Sequence, residues 1–451
     1  MTAIDLPWPN ARQQTGAFGV PRVPGFAPKE MLKMGTNPLS YITSAARLGP
    51  IVELPWVGDK VLLLSRPEDV RHVLTSSQFG KSPFYRKVRP LLGLGLVTSE
   101  GELWQRQRNI ISPAFHQTAL SSMTNIMVSR TQNMMLDWGK HGLQQPVDVF
   151  RDAMRLTQRI VVECLFSDDI GTDEDLVTEA ANTIMSHAEK RIWRPLDAPN
   201  WLPTPENRRT AKAISQLDKV VDRIITGRRD RPIRADLLQM LLSAQGDDGS
   251  AMSRTQLRDE VLTLLISGHE TTGTALAWTL YALAQQPSLK ERAAAEAADW
   301  PNQPTMHDLK RFPYIKACLE EGLRWMPPAW TISRVTLQDS VVGGIRVPAG
   351  TSLMCAPYLA HRSPEDWPDP ETYDPSRWLN TDINRRAFLA FGAGPRVCIG
   401  QAFSMLEMTI VLASILKAFN FELQPGISVA AQPKIMLKPS PGVPLIFTSR
   451  R

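Results

Sequence analysis

Cysteine is scarce in this chain, with four residues, Cys164, Cys318, Cys355 and Cys398, among 451. That is too few for a disulfide framework in a protein of this length. Their spacings match neither zinc-ligand nor iron–sulfur patterns, so a reducing compartment is expected. Long apolar runs are also missing. The opening stretch, MTAIDLPWPNARQQTG, lacks the apolar core of a signal peptide, and no uninterrupted span elsewhere is long enough for a bilayer. The expectation is a soluble, cytoplasmic protein with no membrane span. Charge is nearly balanced, at +6 from 51 basic and 45 acidic residues. A basic excess suits nucleic acid, an anionic surface or an acidic protein partner. No arginine-rich tract or nucleic-acid motif accompanies it, so distributed surface charge accounts for most of it. No flavin or nicotinamide fingerprint is present either.

What is present is apolar mass, 43% of the residues, and 36 prolines. Prolines cluster near Pro7, Pro21, Pro24 and Pro28 and again in the last third. They predict a loosely packed segment over residues 1–30 and a loop-rich final third. Ile51 to Ser65 reads as a hairpin turning at Gly58 and Asp59, with Pro55 arguing against a central strand. A short helix follows in RPEDVRHVLTS, then a loop from Lys81 to Gly95. Helical periodicity dominates from about Leu103, through Leu120 to Leu136, Arg151 to Cys164, Asp169 to Ile192 and Arg209 to Arg228. WRPLDAPNWLPTPENRR and GDDGSAMS interrupt it. Arg258 to Leu283 is apolar on nearly every side, the mark of a helix buried in a large core. Ser253 and Thr255 are its candidate caps. Strand-like pieces occupy Thr331 to Gly350, a last helix runs from Gln401 to about Leu416, and hairpins fill Phe419 to Ser449. The fold class is mainly α with minor β, in a single domain over residues 1–451.

Cys398 carries the chemistry. A lone buried cysteine is usually a small hydrophobe, but this one sits in FGAGPRVCIG, between Gly392, Gly394 and Gly400. Glycine lets a backbone approach a flat ligand closely. The positive end of the helix beginning near Gln401, Arg396 and nearby N–H groups would favour thiolate over thiol. Phe391 to Gly400 closely resembles the haem-binding loop of the cytochrome P450 family, with Phe391 leading and Gly392 and Gly400 at their usual offsets. The resemblance implies that Cys398 is the axial ligand of the iron of haem b, held between the long buried helix and the cysteine-loop helix.

Further segments match in the family's order. Glu321 and Arg324 in KACLEEGLRWMPPAW resemble the helical acid–arginine pair, and Arg377 in ETYDPSRWL resembles the loop arginine that completes a structural triad. Trp378 stands where phenylalanine is usual. SGHETT, Ser267 to Thr272, resembles the oxygen-activation motif, with Glu270 and Thr271 as its acid–alcohol pair. A carboxylate in an apolar core is costly unless paired or used. The resemblance implies that Thr271 hydrogen-bonds dioxygen and a water, that Glu270 relays protons from solvent, and that Gly268 leaves room for oxygen. Ser267 replaces a commoner small residue. Trp104 and Arg108, four apart in GELWQRQRNIISPAF, could be an ordinary cation–π pair. They resemble the family pair that faces a haem propionate, and Arg334 and Arg396 match two more propionate arginines.

The resemblance implies a monooxygenase that places one atom of O2 in a substrate and releases the other as water. A thiolate ligand favours O–O cleavage. With no flavin or nicotinamide bound, electrons would come from a separate ferredoxin or flavodoxin-like donor with its reductase. Apolar pocket candidates are Phe84, Leu92, Leu96, Ile266, Ala329 and Trp330, with Met185 to Trp193 as a further lining stretch. They suggest a hydrophobic substrate such as a terpene, fatty acid or related lipid. The competing classes are a peroxide-driven or non-oxygenating haem-thiolate enzyme and a non-catalytic haem-binding protein.

Overall fold

The computed structural model describes residues 14–141, 143–167, 173–193, 199, 201–229, 236–244 and 251–450. Its centre is the long helix Arg254–Gln285, capped by Ser253. Ser253 Oγ accepts from Gln256 N and the Gln256 side chain accepts from Ser253 N, at 3.2 and 3.1 Å. This reciprocal box satisfies two N–H groups that a helix start leaves orphaned, and it selects Ser253 over Thr255. From Leu257 onward nearly every side chain is buried. The helix Val149–Phe166 lies against this helix. A Cβ at Gly268 would sit 2.9 Å from Val161, and one at Gly273 about 3 Å from Met154. The missing side chain of Gly268 thus permits close helix packing, and the residue also borders the cavity that Cys398 lines.

Helices Pro313–Trp325 and Gln401–Ala418 pack on the same core. The latter is long and apolar enough to cross a bilayer by composition, but most of it is buried inside the protein. Among the described residues the minor β component is four small sheets. The largest runs in the order Ile51–Leu54, Val61–Leu64, Ser352–Cys355, Ile332–Thr336, Phe79–Lys81. Only the pairing of Val61–Leu64 with Ser352–Cys355 is parallel. The expected hairpin is there, and Pro55 follows its edge strand, where a missing N–H costs no ladder bond. A second hairpin, Ala430–Pro433 with Leu437–Ser440, is tied to the long helix by Trp278 Nε1, which donates to Leu437 O at 2.8 Å.

Several expectations need correction. The Lys81 to Gly95 stretch is not a plain loop, because it holds the turn Pro83–Lys87 and the short helix Arg89–Leu92. The helix Leu237–Ser243, capped by Asp236, and the strand Ser352–Cys355 were not anticipated. The N-terminal segment is better anchored than its prolines suggested. Val20 and Val23 are buried, Arg22 bridges to Glu53, and a helix runs Ala27–Thr36. Residues 1–13, 168–172, 194–198, 200 and 245–250 lie outside the described residues, so they leave part of that segment and of the two expected breaks undescribed.

Candidate active site

Gly392 and Gly394 turn the cysteine loop with φ of 73° and 71°, left-handed values that suit glycine. They then do different things. Gly394 lets the loop press on the backbone at Leu74 and Thr75, within 2.7 Å of where a Cβ would be. Gly392 and Gly400 border a cavity of about 320 Å³. The Cys398 N–H closes the loop on Phe391 O at 2.9 Å. Cys164, Cys318 and Cys355 are buried, whereas Cys398 is exposed, and the space it faces is this cavity.

The electrostatics at the sulfur differ from expectation. Depth in the protein pushes the Cys398 thiol up, and the Gly400 N–H and Arg108 pull it back only partly. Burial thus outweighs the local positive field, and the cation that acts on the sulfur is Arg108 rather than Arg396. Arg108 also donates to Val397 O at 3.0 Å, which steadies the loop. Trp104 stacks on the guanidinium of Arg396 at 4.3 Å, so the ordinary cation–π alternative of Trp104 with Arg108 is not what forms.

Cations gather on one wall. Arg334 is buried, and its Nη1 donates to Ser333 O at 3.0 Å. Arg396 bonds Glu100 at 2.8 Å, yet its Nη1 is buried without a partner among the described residues. Lys81, which sequence reasoning missed, lines the same cavity and donates to Leu96 O and Ser99 O at 3.0 and 2.7 Å. Its ammonium is lowered to about 7, by burial first and then by Arg396 and Arg334, against the opposing pull of Glu100. Lysine in FGKSPFY gave no signal, because an isolated cation at a strand end reads as surface. Crowded cations with an unpaired guanidinium N–H call for an anion. A flat group with carboxylates at one edge and a metal over Cys398 fits these residues, and haem has that chemistry.

Across the cavity runs the long helix. Thr271 lines the cavity, and its hydroxyl donates to Ser267 O at 2.9 Å. Glu270 does not line it. Its carboxylate turns to Lys438 of the second hairpin, at 2.5 Å. Of the six apolar pocket candidates, Leu96 and Ala329 line the cavity. The other four do not. Leu92 and Ile266 are core residues, and Phe84 packs edge-on against Tyr85, which lines the cavity in its place. Trp330 is buried with its indole N–H on Lys434 O. The Met185 to Trp193 stretch also contributes nothing to the lining.

The expected triad assembles. Glu321 Oε1 accepts from Arg324 Nη2, Arg377 Nε and Asp374 N at 2.8, 3.0 and 2.8 Å. Oε2 accepts from Arg324 Nε at 2.8 Å and from Trp378 Nε1 at 2.9 Å. Trp378 thus adds a donor that phenylalanine lacks. Arg324 is wholly buried and also donates to His361 O, Pro370 O and Thr372 O. Glu321, Arg324 and Arg377 do not line the cavity, and the cluster holds the loop that carries Arg377.

The family model for cytochrome P450 matches residues 21–446. Cyclooctatin synthase of Streptomyces melanosporofaciens is 32% identical over 91% of this chain and 91% of its own length. Cyclooctat-9-en-7-ol 5-monooxygenase of the same organism is 33% identical over 87% of each. Putative cytochrome P450 132 of Mycobacterium tuberculosis is 31% identical over 94% of this chain and 95% of its own. The chain belongs to the cytochrome P450 family, as an oxidoreductase of the monooxygenase kind.

Proposed function

We propose that the protein hydroxylates a hydrophobic, terpene-like molecule at a haem held by Cys398, with electrons from a separate ferredoxin or flavodoxin-like donor and its reductase. The observation that carries this reading is that Cys398 alone among the cysteines opens on a cavity, and that the opposite wall carries Thr271. A fatty acid or another lipid-like molecule is the neighbouring substrate class. The two Streptomyces relatives bear names of enzymes acting on a cyclic terpenoid, which favours the terpene side. The wall above the cysteine is apolar at Leu96, Leu264, Ala329 and Ile332, as a hydrophobic substrate requires.

Bound haem supplies dioxygen activation, and its thiolate ligand favours O–O cleavage. The protein's residues do the rest. Lys81, Arg334 and Arg396 would hold the propionates of a bound haem. Thr271 gives its proton to Ser267 O, so its lone pairs face the cavity and can accept from a water there. Glu270 is the ionisable group next in the chain, with Lys438 fixing its carboxylate. The test is the absorption spectrum of the dithionite-reduced protein under carbon monoxide. A far-red Soret band is expected, and Cys398→Ala should abolish it. Retention of the band in that variant would remove Cys398 as the ligand.

A further inference from the structure

Between Asp259 and Leu280 the long helix is buried at every position except Ser267, Gly268 and Thr271. All three line the cavity. Ser267 and Thr271 are four apart and so share a helix face. Both hydroxyls have already committed their single proton. Ser267 Oγ donates to Thr263 O at 2.6 Å, and Thr271 Oγ1 donates to Ser267 O at 2.9 Å. A hydroxyl has one proton and two lone pairs, so each presents only an acceptor to the cavity. Thr271 has its role in the proposed oxygen chemistry, but nothing in that chemistry uses Ser267. Much of the cavity lining is apolar, as at Leu264, Ala275, Ala329 and Ile332. An acceptor in such a setting gains most from a donor on the ligand, because water excluded by an apolar body cannot compete.

We propose that Ser267 is a specificity-determining residue that accepts a hydrogen bond from a substrate hydroxyl, so that the substrate is an apolar skeleton carrying an alcohol. This rests on the apolar-substrate reading above and sharpens it. A ketone of the same skeleton would oppose lone pair to lone pair. For Ser267 to serve it as donor, the 2.6 Å bond to Thr263 O would have to break, leaving no net gain. The site therefore ranks alcohol above ketone.

The probes are cyclododecanol, cyclododecanone and cyclododecane, which share one ring and differ in a single group. Their binding to the haem-loaded protein is measured by calorimetry in wild type and in Ser267→Ala. Alanine suits a helix interior, and the exchange strands no partner, since Thr263 O keeps its helical bond. The wild type should bind the alcohol roughly twofold to tenfold tighter than the ketone, the range one net hydrogen bond spans. In Ser267→Ala that ratio should fall to about one, with the affinity for cyclododecane changed less than about twofold. The ratio is taken within each variant, so any loss of folded protein cancels. Equal ratios in the two proteins, or a ketone preference in the wild type, would overturn the anchor while the apolar-substrate reading stands. If none of the three binds the wild type, that reading falls and takes the anchor with it.

Discussion

Glu270 and Lys438 meet at 2.5 Å, joining the centre of the long helix to the Leu437–Ser440 strand. Both side chains are largely shielded, at 7% and 17% exposure. Glu189 is the next acid in this cluster. Burial raises its carboxyl, Lys434 and Lys438 counter that, and Glu270 adds to the rise. Removing one partner of a buried pair strands the other charge. Lys438→Met is therefore expected to cost about 1–3 kcal/mol, read as a lower urea midpoint. Glu270→Gln should be milder for stability, since the amide oxygen can still accept from Lys438, the more exposed partner. It should slow turnover by about a hundredfold, the lower end for a positioned acid–base group. Unchanged turnover in Glu270→Gln would remove it from the proton route.

The triad yields a graded series. Glu321 and Arg324 are wholly buried and Arg377 nearly so. Glu321→Ala strands two guanidinium groups, and Arg324→Ala takes from the buried carboxylate the partner that meets both of its oxygens, each at about 3–5 kcal/mol. Little haem-loaded protein should accumulate from either. Trp378→Phe removes only the 2.9 Å indole donor to Glu321 Oε2, at about 1 kcal/mol, and should fold. A Trp378→Phe protein as crippled as Glu321→Ala would mean that indole packing, not the hydrogen bond, is what matters.

His361 sets an acid limit on stability. Its Nε2 accepts from Leu389 N at 2.8 Å, which leaves the proton on Nδ1, 3.1 Å from Arg324 O. Burial, and then the charge of Arg324, lower its imidazolium from 6.5 to about 3. The unfolded chain therefore binds the extra proton throughout that window while the folded one does not. Stability contributed by the neutral ring is full above pH 6.5 and is lost as pH falls toward 3, by roughly 1.4 kcal/mol per pH unit. His361→Gln can keep both hydrogen bonds without titrating. Between about pH 7 and about pH 5 the wild type should lose roughly 2 kcal/mol more than this variant in urea titrations. Parallel pH profiles would show that the ring is not held neutral.

The contrast between Thr271 and Ile266 shows how far the sequence could be read. Thr271 was legible because a fixed motif names it, and the cavity includes it. Ile266 was chosen because it is apolar and near that motif. Apolarity marks core and pocket alike, and each step along a helix turns a side chain by ~100°, so Ile266 points into the core. Trp330 fails for the same reason. Lys438 and Lys81 were illegible because no local pattern links a strand lysine to a distant helix acid or to a cavity wall. Helices and the first hairpin were read well, since period and turn residues are local. The short helix at Leu237 was hidden by its length, too brief for a period to show.

Thr271 and Thr272 provide the last test, as neighbours with different surroundings. Both border the cavity. Thr272 is buried and its hydroxyl is bound to Gly268 O at 3.2 Å, whereas Thr271 is only half-buried, open on the cavity side. Thr271→Ala removes an acceptor for water at the place of oxygen chemistry. It leaves the cysteine loop and the cation wall untouched, so the carbon monoxide spectrum should not change. Reducing equivalents should still be consumed with a suitable ferredoxin and reductase. Protons would then arrive without the hydroxyl that orders them, and hydrogen peroxide should leave in place of product. The ratio of product to reduced nicotinamide should drop by about tenfold, with peroxide rising to match. Thr272→Ala should change that ratio less than about twofold, because Thr272 is buried and offers the cavity less than the half-buried Thr271 does. Equal ratios in Thr271→Ala and wild type would end the assignment of Thr271. Product formed from added peroxide alone, and insensitive to Thr271, would place the protein among peroxide-driven enzymes instead.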